Sequence, residues 1–387
     1  MMRTFHKAFY LFVRILITPY YFFIENYRWK MFKPKSKNYL LLTNHNTNWD
    51  FFLAGLSFYK QMYFVASEHI FRLGFVSRVI KFLVDPIPRK KGASGEETVK
   101  RITERLQTGA NVCMMVEGNR SFSGETGWIS PANAPLVRNS GAGLITYRIH
   151  GGYFVNPRWS KEKRKGAMYG EVVHEYTPED IANMTDDEIT AAIRNDIYVN
   201  AYEDQEKKPE KYTCKNPAES LETALFVCPE CHSFSTMRSR GDRFFCENCG
   251  LELTFNDYGY FEGNGAVPFK TVLAWDKWQQ QYLKEMLPTV TDTSKELFSD
   301  RELRLSEIGE GHETTELCTD TLKMYCDRME IGGNVFYLAD IKKLAITLVD
   351  TMLFTTSTGY YEIKSKTPYS ALKYLIAWRY LTGKEYR

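Results

Sequence analysis

The sequence predicts an α/β domain with a mixed sheet flanked by helices, then a small cysteine-knuckle module and a β-rich domain with one C-terminal helix. Three observations predict this. Up to about residue 205, short apolar runs alternate with helical stretches. Two Cys-x-x-Cys pairs follow within residues 228–249. Residues 303–365 then alternate apolar and polar in short runs, before a last helical segment. At 387 residues the chain is long enough for two or three cores.

Residues 1–34 open on an apolar, aromatic stretch, 5–24, interrupted by Lys7, Arg14 and Pro19. A spanning helix wants about 20 uninterrupted apolar residues. The cations Arg28, Lys30, Lys33, Lys35 and Lys37 follow it. An apolar helix flanked by cations suits the face of a bilayer carrying anionic lipid, so the segment is expected to lie on a membrane and not to span it. The alternative is a first helix packed on a soluble core. No small-residue cleavage site follows the stretch, so no secretory signal peptide is expected.

Residues 35–225 carry the α/β pattern. Residues 39–43 form an apolar run that reads as a buried strand ending before Asn44, and Asp50 opens a helix over 51–59. His45 therefore falls on a strand-to-helix loop. A strand at 62–66 and an amphipathic helix at 70–82 come next. Pro86 and Pro88 push residues 85–89 into an extended piece. A helix at 96–106 precedes a strand at 111–116 that runs into Glu117. Strands at 143–149 and 167–176 and a helix at 178–202 complete the domain; residues 141–159 otherwise read as strand and surface loop.

Cys228, Cys231, Cys246 and Cys249 form two knuckles within residues 226–252. Four thiolates at this spacing give closed tetrahedral coordination, a structural zinc ribbon with no open position for catalysis, rubredoxin-like iron being the alternative. His232 and Cys214 are poorer ligand candidates. Arg238, Arg240 and Arg243 could touch nucleic acid or lipid phosphate, although such ribbons also serve as rigid struts. The other four cysteines are scattered, which points to a reducing compartment and not a disulfide framework. In residues 253–387, runs at 321–325, 334–338, 343–348, 352–354 and 360–363 read as strands and 371–381 as the closing helix. By pattern alone this looks like a pleckstrin-homology-type barrel.

Charged residues make up 25% of the chain and the net charge is +3, too balanced for a dedicated nucleic-acid binder. The 15% aromatic content suits large cores and membrane interfaces.

Two polar blocks carry the chemistry. In the first, Asn44 to Asp50, an imidazole can take a proton from an alcohol near neutral pH if a carboxylate holds its other nitrogen. This is the logic of a triad whose nucleophile is the substrate. In the second, Glu117-Gly118-Asn119-Arg120-Ser121 emerges from a strand end, where α/β folds bind ligands. Gly118 lets backbone approach closely, and Arg120 can grip phosphate bidentately. Glu117 would hold that arginine or a backbone group. Arg89 could add a second cation.

These blocks resemble those of the glycerophosphate and lysophospholipid acyltransferases (the PlsC-like acyltransferases). Asn44-His45 with Asp50 matches the NH-x4-D block, Ile87-Pro88-Arg89 the second block, and Glu117 to Ser121 the FPEGTRS block, in order and spacing, over residues 35–205. Met115-Val116 stands where Phe-Pro is usual, Asn119 replaces Thr, and Leu144 to Tyr147 occupies the place of the fourth block. The resemblance implies His45 as general base, Asp50 as its orienting carboxylate, and phosphate contact from Arg89, Glu117, Gly118, Asn119, Arg120 and Ser121. It implies transfer of an acyl group from acyl-CoA or acyl-carrier protein to lysophosphatidic acid, giving phosphatidic acid, with no catalytic metal. The expected partners are those donors, a lysophospholipid and the cytoplasmic face of the cell membrane, with no nucleic acid. Other acceptors (another lysophospholipid, an amino-lipid or a glycolipid) and a non-catalytic zinc-ribbon scaffold are the alternatives.

Overall fold

Seven short strands, most of them buried on both faces, build the first sheet. The computed structural model describes residues 2–67, 71, 74–89, 95–309 and 313–384. These form two compact units, one running to residue 157 and from 164 to 212, the other taking in 158–163 and the chain from 213 onward.

In the first unit, the strands are β1 (Tyr27–Trp29), β2 (Tyr39–Thr43), β3 (Met62–Ser67), β4 (Ile87–Arg89), β5 (Asn111–Met115), β6 (Gly143–His150) and β7 (Met168–Tyr176). Their order is β1-β7-β6-β2-β5-β3-β4. Every pair is parallel except β6 with β7, so the sheet is mixed as expected. All five residues of β2 are buried, which is why it reads as a continuous apolar run and not as an alternation. On one face Leu40, Leu42 and Val112 meet Ile102 and Leu106 of helix α4 (Glu96–Gln107) and Ile189 and Ile193 of α8 (Asp186–Ile197). On the other, Tyr39 and Tyr147 pack around Phe58.

Helix α1 (Met2–Pro19) continues through Pro19 as a π-helical turn, Tyr20–Ile24. The missing proline N–H is absorbed by that wider turn. By length and composition, Thr4–Ile24 is long enough to cross a bilayer. One narrow side of it is tied down. The His6 ring contacts Tyr63 Oη and the Phe82 carbonyl, Tyr10 donates to the Gly55 carbonyl, and Arg14 donates to the Leu56 carbonyl.

Several boundaries differ from the sequence reading. Helix α2 (Asp50–Gly55) is shorter than 51–59. Helix α3 (Phe75–Val84) covers the later part of the expected 70–82, whose start lies partly outside the described residues. The expected helix 178–202 breaks into α7 (Pro178–Ala182), α8 and α9 (Ala201–Lys207). The breaks have a cause: Thr177 with Asp180 and Thr185 with Glu188 form two capping boxes, and Asn200 caps α9. Edge strand β1, helix α5 (Asn133–Ser140) and the single turn α6 (Gly152–Val155) were not foreseen. Residues 141–159 are not a surface loop. Tyr153, Arg158 and Trp159 are buried, and Arg148 donates to the Asn195 and Asp196 carbonyls.

The second unit holds a four-stranded sheet, β11-β10-β9-β8, and a seven-stranded one, β15-β14-β13-β12-β18-β17-β16. The first comprises β8 (Met237–Arg240), β9 (Arg243–Cys246), β10 (Glu252–Phe255) and β11 (Phe261–Glu262). The second comprises β12 (Phe298–Ile308), β13 (Thr314–Met324), β14 (Arg328–Ile331), β15 (Asn334–Tyr337), β16 (Lys343–Thr347), β17 (Thr351–Thr355) and β18 (Tyr360–Lys364), all antiparallel. The expectation of a single helix in residues 253–387 is corrected: α10 (Val272–Met286) precedes the terminal α11 (Ala371–Thr382). Its inward residues Trp275 and Gln279 bond backbone, Trp275 Nε1 to the Val227 carbonyl and Gln279 to the Ala224 carbonyl and the Phe226 amide.

Candidate active site and metal centre

Strands β2 and β5 are parallel neighbours with Thr43 opposite Met115, so the two polar blocks leave the same edge of the sheet side by side. Asn44 fixes the first block. Its side chain donates to the Ile149 carbonyl and accepts from the Ile149 amide, pinning the loop to β6.

Beyond it the chain wraps around Asp50, at the first turn of α2. The buried Asp50 carboxylate accepts from the Asn46 amide at 2.7 Å, the Thr47 amide at 3.0 Å, the Thr47 hydroxyl at 2.6 Å and His45 Nδ1 at 2.8 Å. An ionised carboxylate only accepts, so it holds the imidazole proton on Nδ1 and leaves the lone pair on Nε2. The His45 side chain is 24% exposed, enough for an alcohol to reach that nitrogen. The loop therefore presents an oriented base.

Glu117 reaches back to this loop. One of its oxygens accepts from the His45 amide at 2.6 Å, the other from the Gly127 amide at 2.5 Å. Burial pushes its carboxyl up to about 8, against the pull of those two amides, and the Asp50 charge adds to the rise. Gly118 turns the chain at φ +70°, where a side chain would be strained. The Ser121 amide donates to the His45 carbonyl and its hydroxyl accepts from the Gly124 amide, while Asn119 lies half-buried beside them.

Arg120 staples the first block. It donates from Nε to the Asn46 carbonyl, from one terminal nitrogen to Asn48 Oδ1 and from the other to the Asn156 carbonyl. Burial lowers its pKa to about 10, which leaves it cationic at neutral pH. Arg89 ends β4 at the same edge, three strands from β2 or on the order of 14 Å. Its guanidinium lies beside Gly95, and burial lowers its pKa. The structure thus brings His45, Asp50, Glu117, Arg120 and Ser121 together and leaves Arg89 further along the edge. Asn44, Asn46, Thr47 and Asn156 were missed. Short Asn and Thr side chains in a loop that must hold a carboxylate were the available signal for the first three.

An apolar cavity of about 460 Å³ opens beside the same loop. Trp49, Phe51 and Phe52 line it from α2, Phe9, Val13 and Ile17 from α1, and Ile80 and Leu83 from α3.

In the second unit the Sγ atoms of Cys228, Cys231, Cys246 and Cys249 all lie within 4.8 Å of one another. Tetrahedral zinc with Zn–S near ~2.3 Å requires an S···S edge of roughly 3.8 Å. The Cys228–Cys249 and Cys231–Cys246 separations are 3.6 and 3.8 Å, so the cluster fits. Ser233 sits against Cys231 Sγ, and Thr236 against Cys246 Sγ, at 2.9 and 3.3 Å. Asn248 donates to Cys231 Sγ. Such donors offset thiolate charge around a bound metal. The His232 ring packs on Tyr282 and Trp278 instead. Gly241, at φ +65°, turns the β8–β9 hairpin that joins the knuckles.

Comparison with known proteins bears on the first unit. A solved structure of the 1-acyl-sn-glycerophosphate (LPA) acyltransferase PlsC from Thermotoga maritima is similar at 15% identity and a TM-score of 0.39, over 53% of this chain and 78% of that one. That likeness is too loose to carry chemistry. No curated protein matches the chain. The model of the Acyltransferase family matches residues 26–150, which include both polar blocks. Residues 26–150 of this chain are an acyltransferase-family domain.

Proposed function

We propose that the chain transfers a fatty acyl group from acyl-CoA or acyl-carrier protein to the free hydroxyl of lysophosphatidic acid, giving phosphatidic acid. The observation that carries this is the His45–Asp50 pair, held at 2.8 Å at a sheet edge inside an acyltransferase-family domain. His45 Nε2 takes the proton of the acceptor hydroxyl. The oxygen then attacks the thioester carbonyl, the tetrahedral intermediate collapses, and the thiolate leaves with a proton returned from the imidazolium.

Arg89, Glu117, Gly118, Asn119, Arg120 and Ser121 form the phosphate end in this reading. Arg120 and Arg89 supply the charge. Glu117 holds the His45 amide and so sets the base relative to the acceptor, while Gly118 lets backbone amides approach. The apolar cavity beside Trp49 and Phe52 suits an acyl chain, being lined almost wholly by aliphatic and aromatic groups. The four-cysteine cluster suits a structural zinc ion, with no part in the transfer.

The same reading lays Thr4–Ile24 on the cytoplasmic face of the cell membrane. The ties from His6, Tyr10 and Arg14 run along one side of the helix, while Phe12, Ile15, Leu16 and Phe23 stay exposed. A panel of lysolipids with both donors, with phosphate-bearing and phosphate-free acceptors, tests the proposal. Turnover of phosphate-free acceptors alone would contradict it.

A further inference from the structure

Helix α3 is built inside out for a soluble protein. A surface helix turns its apolar stripe inward and its polar face to water. Here the buried residue is Ser77, while Phe75, Val76, Val79 and Phe82 are exposed, Phe75 by 71% and Phe82 by 54%. At 100° per residue those four fall on one continuous arc. Arg78 and Lys81 sit side by side at its border, and the helix contains no carboxylate. A contiguous apolar patch rimmed by charge marks an interaction surface.

The patch does not stop at α3. The Phe82 ring meets the Phe5 ring of α1 at 5.2 Å, and His6 binds the Phe82 carbonyl, so the two helices touch at this point. From Phe5 the exposed residues Leu11, Phe12, Ile15 and Leu16 continue along α1. One apolar surface therefore crosses both helices.

We infer that α3 is a second lipid-contacting helix, which meets the same membrane surface as α1 through Phe75, Val76, Val79 and Phe82, with Arg78 and Lys81 at anionic headgroups. The inference rests on the reading of α1 as a membrane-surface helix. Charge selects lipid over a second copy of the chain. Two cations with no acid on the same helix would find no carboxylate across a self-complementary α3 interface, whereas an anionic bilayer satisfies them.

The full chain, Phe75→Ser/Val79→Ser, Arg78→Gln/Lys81→Gln and an α1 control, Phe12→Ser/Leu16→Ser, would be floated with phosphatidylcholine vesicles, with and without phosphatidylglycerol. All four substituted sites on α3 are exposed, and circular dichroism and gel filtration check fold and oligomeric state. The expected result is an about tenfold fall in partitioning for Phe75→Ser/Val79→Ser on both vesicles. Arg78→Gln/Lys81→Gln should lose only the gain from phosphatidylglycerol. If the α1 control falls while the apolar α3 variant floats like wild type, the α3 inference fails and the α1 reading stands. If wild type does not float at all, both fail. A wild-type dimer that the α3 variant converts to monomer, with vesicle binding unchanged, would name a second copy as the occupant and overturn the inference.

Discussion

Asp50 gathers its four donors before any substrate arrives. Two backbone amides, the Thr47 hydroxyl and His45 Nδ1 converge on one buried carboxylate, so the imidazole tautomer follows from the fold of the loop. Asp50→Asn would place an amide that can donate where only an acceptor serves, favouring the wrong tautomer. The expected outcome is a fall in kcat of about 10²–10⁴ with KM for the acceptor little changed. An equal rise in KM with kcat intact would mean that Asp50 serves binding and not the base. Glu117 gives a pH signature. Its folded pKa of about 8 stands above the ordinary carboxyl value of 4.5. The folded state thus keeps a proton that the unfolded chain releases, a contribution present below the unfolded value and lost as pH rises through the folded one. Tm should therefore decline between about pH 5 and pH 8. Glu117→Gln should flatten that decline; an unchanged slope in the variant would assign it to other groups.

At the scale of elements, the runs 39–43, 62–66 and 111–116 were legible because strands buried on both faces are continuous apolar runs that end in polar loops. The adjacency of the two polar blocks followed from those strand ends. Arg120's partners did not. Asn46 and Asn48 lie more than 70 residues before it, and Asn156 is held on a turn the sequence did not mark. Strand β1 is three residues long on an edge, too short for a pattern, and α10 packs mixed polar and aromatic residues inward, which blurs its period. In the second unit α11 carries a buried cation. Lys373 Nζ pairs with Asp300 at 2.6 Å and also contacts Ser235, between the two cysteine knuckles. Burial lowers the Lys373 pKa and Asp300 pulls it back. Asp300→Asn should cost roughly 3–5 kcal/mol in denaturant unfolding, because it strands a buried charge. Adding Lys373→Met should recover most of that; equal losses in single and double variants would deny the pair its role.

For the whole molecule, each compact unit carries one of the chemistries the sequence announced, a base with a phosphate-type block in one and a four-thiol cluster in the other. Chelation should release one zinc per chain, seen with a colorimetric indicator, and lower Tm. Hydrogen exchange should then show protection lost in β8 and β9 and kept in β2 and β5. Full protection of β8 and β9 after metal removal would make the ion dispensable to the ribbon. The most direct measurement of the central claim mixes purified protein in detergent with lysophosphatidic acid and acyl-CoA or acyl-carrier protein, with His45→Ala run beside it, and detects product by mass spectrometry. Phosphatidic acid from wild type, and none from a folded His45→Ala, is the predicted result. No product with either donor, or a His45→Ala protein that keeps most of the activity, would contradict it.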